Sequence, residues 1–146
     1  MFSALSGADM FVITTNSFVK TNGALVMGKG IARTVRDTFI GIDRDLGGVI
    51  KAGCGHLGEY GLIRSIKYPK IFALQVKHNF VSKADVNLIA EGVAILAEFA
   101  ERYPNASIHL NYPGIGNGGL PKSLIHPIVD TLPDNVTVWE LPKGAM

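Results

Sequence analysis

Short apolar runs alternate with helical stripes along this chain, and that alternation constrains the fold more than any other feature. Residues 10–15, Met-Phe-Val-Ile-Thr-Thr, are apolar and β-branched, as in a strand buried on both faces. From 29 to 39 the pattern Ile31, Ala32, Val35, Phe39 marks one face of a helix, and 43–52 supplies a second with Leu46, Val49 and Ile50 inward. Residues 60–66 and 71–76 read as strands joined by a turn at Tyr68-Pro69, which allows an antiparallel pair. The clearest helix spans 84–102, where Val86, Ile89, Ala90, Val93, Leu96, Ala97 and Ala100 recur at helical spacing and Pro104 is the stop. A strand at 107–111, a helix at 121–132 with Pro121 suited to its first turn, and a strand at 136–141 complete the pattern. The expected fold class is α/β, with a mostly parallel sheet covered on both faces and ligand at the C-terminal strand ends.

Two glycine loops fall at such strand ends. Val26-Met27-Gly28-Lys29-Gly30-Ile31-Ala32 and Pro113-Gly114-Ile115-Gly116-Asn117-Gly118-Gly119 each stand between an apolar run and a helical segment. Glycine lets the backbone approach an anion closely, and a helix N-terminus offers unpaired N–H groups with partial positive charge. Together the loops can hold a pyrophosphate from both sides; singly, each is also an ordinary turn.

Neither loop completes a nucleotide motif. Gly23 to Gly30 nearly spells a P-loop, but Gly30 stands where a Ser or Thr must hold magnesium. Gly114, Gly116 and Gly119 match G-x-G-x-x-G, with Glu140 on the following strand as the ribose acid, which keeps a dinucleotide-binding reading open. Against it, such a fold opens with that loop, whereas here only one helix and one strand follow it.

At 146 residues the chain is expected to be one domain, 1–146, without linker, repeat or low-complexity tract. A net charge of +2 without a basic run leaves the partner undetermined by electrostatics. Cys54 is the only cysteine, so an internal disulfide is excluded, and no zinc-ligand spacing appears; a reduced, cytoplasmic setting is expected, with no metal. The residues Met1-Phe2-Ser3-Ala4-Leu5 lack the basic flank and long apolar core of a signal peptide, and no apolar run spans a bilayer. A soluble protein without a membrane partner is expected.

Asn16, the loop Val26 to Ala32, the segment Gln75-Val76-Lys77-His78-Asn79-Phe80 and the loop Pro113 to Leu120 stand in the order and spacing of a macrodomain. The chain resembles the branch containing the DarG antitoxin and the human terminal ADP-ribose glycohydrolase over nearly its whole length. That resemblance implies a three-layer α/β/α domain with a mixed, mostly parallel sheet and ADP-ribose bound across the strand ends. By position, Asn16 is expected at the distal ribose, Val26 to Ala32 on one side of the pyrophosphate and Gly114 to Gly119 on the other.

The resemblance also implies chemistry. Lys77 stands just beyond an apolar strand beside His78 and Asn79, and a lysine whose charge is disfavoured by burial becomes a nucleophile for C1 of an opened ribose. In the resembling branch the lysine at this position is catalytic. Asn16, which both donates and accepts, suits a ribose diol or a water on the anomeric carbon, or else a turn with its own backbone. His78 is a candidate to orient Lys77, move a proton or hold phosphate. One departure stands out: the human enzyme follows its second glycine loop with an aspartate, whereas this chain reads Gly119-Leu120-Pro121, with no acid before Asp130.

Glu59 and Asp85 are acids that nothing in the sequence places. His56, His109 and His126 are scattered. Trp139 or Leu141 can face adenine or fill the core, and Asp9 is a weak candidate for the adenine amine. The expectation is a monomeric, bacterial or phage macrodomain that needs no cofactor. It binds ADP-ribose and removes it from modified DNA or protein by attack at ribose C1. Two alternatives are a non-catalytic ADP-ribose reader and an ADP-ribose 1″-phosphate phosphatase.

Overall fold

The computed structural model describes residues 9–53 and 58–140; Cys54, His56 and Leu141, and the N-terminal Met1 to Leu5, lie outside them. Strand β1 (Asp9–Thr15) is the centre of a five-stranded sheet, and its alternating side chains divide the core in two. Val12 faces one way with Phe72, Leu74, Ile108 and Leu110. Phe11 and Ile13 face the other with Ile71 and Ala73.

Helices α1 (Gly30–Thr38) and α2 (Ile42–Gly53) follow β1 and cover the Phe11 face with Ile31, Ala32, Val35, Ile42, Leu46 and Ile50. Strand β2 (Leu62–Arg64) pairs antiparallel with β3 (Ile71–Gln75), as the Tyr68-Pro69 turn allows. Helix α3 (Val86–Arg102) covers the opposite face with Ile89, Val93, Leu96 and Ala100. Strand β4 (Ser107–Asn111), helix α4 (Lys122–Val129) and strand β5 (Val136–Trp139) complete the order β2-β3-β1-β4-β5, in which every pair but β2–β3 is parallel. This is the mixed, mostly parallel three-layer α/β/α sheet expected.

Several expected boundaries shift for physical reasons. Asp85 leaves the helix at its start because its carboxylate accepts the Asn87 N–H as an N-cap. The buried stripe of α3 is also rotated: Leu88 and Gly92 are inside and Ala90 is exposed. Gly92 is there because a Cβ would press on the Leu74 side chain of β3. On α2, Val49 is half-buried, whereas Gly47 is buried where the helix crosses the turn before the first glycine loop; a Cβ there collides with the Gly23 carbonyl oxygen. The second strand keeps only three residues because it is an edge strand with one partner. Pro121 is the cap of α4 in extended conformation rather than a residue of its first turn, and that helix ends at Val129.

Candidate functional site

Strand β1 lies between β3 and β4, and its own connection crosses one face of the sheet through α1 and α2 while those leaving β3 and β4 cross the other through α3 and α4. A crevice forms at such a switch point because no connection covers it. Here it is a cavity of about 640 Å³, with Thr14, Thr15 and Asn111 at the strand ends.

All seven residues of the first glycine loop, Val26 to Ala32, line that cavity. One side chain fixes the loop to β1: Asn16 Nδ2 donates to the Val26 carbonyl at 2.9 Å, and its Oδ1 accepts the Phe18 N–H at 2.7 Å. The second bond is the side-chain turn that asparagine offers, so Asn16 positions the loop as well as lining the cavity. Tyr60 supports the same corner, its hydroxyl bonding Thr15 Oγ1 and the Asn16 carbonyl. Helix α1 then starts at Gly30 (φ 59°) with Lys29 as an extended N-cap and no side-chain cap bond. Its first residues, Gly30, Ile31 and Ala32, at the positive end of the dipole, line the cavity.

The P-loop reading ends here. Leu25 N donates to the Asp43 carbonyl and Val19 bridges Leu25, which ties down the first half of that motif.

The second loop is built differently. Gly114 (φ 79°), Gly116 (φ 63°) and Gly119 (φ 74°) take left-handed conformations around a 3-10 turn at Gly116–Gly118. It closes on itself: Gly118 N donates to Ile115 O at 3.2 Å, Gly119 N to Gly116 O at 3.0 Å and Leu120 N to Gly114 O at 2.9 Å. Gly114, Ile115, Asn117 and Gly118 line the cavity, while Pro113, Gly116 and Gly119 do not. Glu140 is taken by Lys122 in a 2.6 Å ion pair, so the acid of the dinucleotide reading is already paired.

Lys77 lies just past β3 in the cavity wall, half-buried, with Nζ donating to the Phe80 carbonyl at 3.3 Å. Burial, and secondarily the charge of Lys29, hold its pKa below the ordinary lysine value. Its connection to α3 is tied down at both ends: Asn79 carbonyl and carboxamide oxygens bond the Val81–Ser82 turn, and Ala84 N donates to Gly118 O at 2.9 Å.

Other candidates stand elsewhere. His78 is outside the cavity lining, half-exposed, with its ring 3.8 Å from Glu59. Asp9 is at the opposite end of β1, buried 3.6 Å from His109. Trp139 donates its indole N–H to His109 Nδ1 at 2.9 Å, so the last strand's aromatic serves this internal cluster. His126 lies on α4 beside Asp130 and the Tyr112 hydroxyl. Among the described residues no group of His, Cys, Asp and Glu is arranged to hold a metal ion.

Sequence reasoning missed Thr14, Asn111, Tyr112, Val81 and Ser82 as cavity residues. Asn111 exchanges two bonds with Thr14, accepting its N–H at 3.0 Å and donating to its Oγ1 at 2.8 Å. A carboxamide at the buried C-terminal end of a strand was the available signal.

No protein-family model and no curated protein matches this chain. Solved structures do. The macrodomain of Mycobacterium tuberculosis DarG superposes with a TM-score of 0.68 at 22% identity, covering 94% of this chain and 93% of its own. The Thermus aquaticus DarG macrodomain gives 0.64 at 24%, covering 94% and 91%. Thermosipho africanus DarTG, solved in complex with ADP-ribose, gives 0.65 at 19%, covering 92% of this chain and 39% of that one. The layers, the strand order and these likenesses agree: the chain has the macrodomain fold and resembles the macrodomains of DarG.

Proposed function

We propose that this protein binds ADP-ribose in the cavity between the two glycine loops and hydrolyses an ADP-ribosyl linkage with Lys77 as nucleophile. The observation that carries the reading is the meeting of a half-buried, pKa-lowered lysine with two glycine loops in one cavity. The ADP-ribose complex of the structurally similar Thermosipho africanus DarTG supports the choice of ligand.

In this reading the open N-terminus of α1 and the amides of the second loop face the diphosphate from two sides. The remaining N–H of the Asn16 carboxamide reaches a ribose hydroxyl. The neutral Lys77 amine forms an Nζ–C1 bond as the C1–acceptor bond breaks, and the acceptor leaves with the bonding pair. The ammonium so formed gives up one proton, matching the acceptor's need for one. Water then replaces nitrogen at C1, restoring the amine and yielding ADP-ribose. His78 has no part in this scheme, since its ring is with Glu59.

Calorimetric titration with ADP-ribose beside NAD and ATP tests the first half. Selective micromolar affinity is expected, and a preference for NAD overturns it. For the second half, Lys77→Ala is expected to bind ADP-ribose within a few-fold of wild type while turnover of ADP-ribosylated DNA or protein, followed by mass spectrometry, is lost. A mass shift that persists with the wild-type protein leaves a binding module only.

A further inference from the structure

The sheet ends on one side in β2, and among the described residues no strand pairs with its outer edge. Gln75 N donates to Gly61 O and Ser65 N to Ile71 O, so the antiparallel alternation turns the N–H and C=O of Leu62 and Arg64 outward, on either side of Ile63. That spacing is self-complementary. A second copy turned about a two-fold axis at Ile63 sets its Leu62 opposite Arg64 and its Arg64 opposite Leu62, and every outward backbone group of the strand finds a partner.

The flanks of the edge fit the same operation. Helix α3 rests on both β2 and β3. Strands lie ~4.8 Å apart, so α3 of each copy comes within about 10 Å of the other, a spacing at which helices pack. Toward the edge α3 presents Ile95, 43% exposed, which lies over Gly61. On the other face, α2 and Ile66 border a shallow groove lined by Gly48, Val49 and Ala52. Gly48 is exposed in mid-helix and a Cβ there meets nothing within 4 Å, so a single copy gives no reason for a residue that weakens a helix. Close approach of a second helix is such a reason.

Charge selects the occupant. Arg64 is held at the edge by a bond from Nε to the Pro69 carbonyl and by the Phe72 ring, 5.0 Å away. Exposed Glu91 stands one turn before Ile95 and next to Gly92, whose missing Cβ faces Leu74, the partner of Leu62 in the sheet. Neither charge has an ion-pair partner among the described residues. Because the two-fold axis sets Arg64 beside Leu62 of the second copy, it also brings Arg64 to that copy's Glu91. We propose that this protein pairs with a second copy of itself through β2, in a two-fold dimer with one continuous sheet and an Arg64–Glu91 ion pair at each end of the contact. The dimer replaces the monomer expected from the sequence, and none of these residues lines the cavity.

Sedimentation over a concentration series reaching about 1 mM is the test, with the mass expected to rise from one copy to two and no further. Arg64→Glu and Glu91→Arg are each expected to weaken the dimer by about tenfold or more, since like charges then meet, and the double variant to recover to within about threefold of wild type. Gly48→Gln has open space in the single copy, so it is expected to weaken the dimer by about tenfold with the melting temperature unchanged or higher, which separates lost contact from lost folding. Amide exchange at Leu62 and Arg64 is expected to slow as concentration rises. A protein that stays a single copy throughout, growth beyond two copies, or a double variant no tighter than the singles overturns the inference. So does protection of those amides in the single copy, which assigns the edge to another segment of the same chain.

Discussion

The two glycine loops look alike in sequence and are held by opposite means. The first is pinned at its start by one side chain, Asn16, and runs into a helix whose N-terminal N–H groups lack a side-chain cap. The second is closed by its own backbone bonds and three left-handed glycines. Gly28 in the first loop therefore leaves room for something outside the chain, whereas Gly114, Gly116 and Gly119 in the second, like Gly30 at the start of α1, take a left-handed conformation that the backbone path itself requires.

The sharpest way to break that contrast is at Gly114. A Cβ there stands 2.5 Å from Ile89 Cδ1 on a backbone of φ +79°. Gly114→Ala adds left-handed strain to overpacking, together about 2–4 kcal/mol, and should lower the melting temperature by about 10 °C. A calorimetric scan within two degrees of wild type would show that the second loop adapts as the first does.

Next comes Asn16. Asn16→Ala removes two bonds from a residue that is 6% exposed and leaves the Val26 carbonyl and Phe18 N–H to find other partners. A stability loss of about 1–3 kcal/mol by denaturant titration is expected, with ADP-ribose affinity falling by about tenfold or more because the loop is no longer placed. Affinity retained at reduced stability would assign the residue to the fold alone.

Gly28 separates the loops most cleanly. A Cβ there meets nothing within 4 Å, and its φ is ordinary. Gly28→Ala should leave the melting temperature unchanged or slightly raised, since it restricts the unfolded chain, and still weaken ADP-ribose binding several-fold if the diphosphate comes close. Unchanged affinity in titration would place the phosphates elsewhere.

The smallest expected effect is electrostatic. In the proposed mechanism Lys77 acts as the neutral amine, so turnover should rise with pH through a value below the ordinary lysine pKa of 10.5. Lys29 contributes to that lowering after burial. Lys29→Gln should therefore move the rising limb to higher pH, but only part of the way toward that of an exposed lysine, because burial is the larger cause. A limb that does not move means that burial alone tunes the amine.

This difference between the loops also marks what the sequence could reveal. The alternation of apolar runs placed β1, β3 and β4 within a residue or two, because central parallel strands are buried on both faces and their composition reports it. Composition was a poorer guide where packing decides. The inward face of α3 turns on Gly92 meeting Leu74, and β2 is cut to three residues by having a single neighbour. Each glycine loop was legible because its spacing is local, and the family resemblance set both beside Lys77, which shares one cavity with Val26 to Ala32 and with Gly114, Ile115, Asn117 and Gly118. Asn111 and Thr14 were not, since their mutual bonds join residues 97 apart.

The bond from Ala84 to Gly118 joins the segment that carries Lys77 to the loop of left-handed glycines. Such a tie works as a ruler. Whatever the second loop grips is measured off against the amine along the short span from Lys77 to Ala84. If Lys77 acts as proposed, one residue added to that span leaves both the second loop and the amine intact and puts the reacting carbon out of reach.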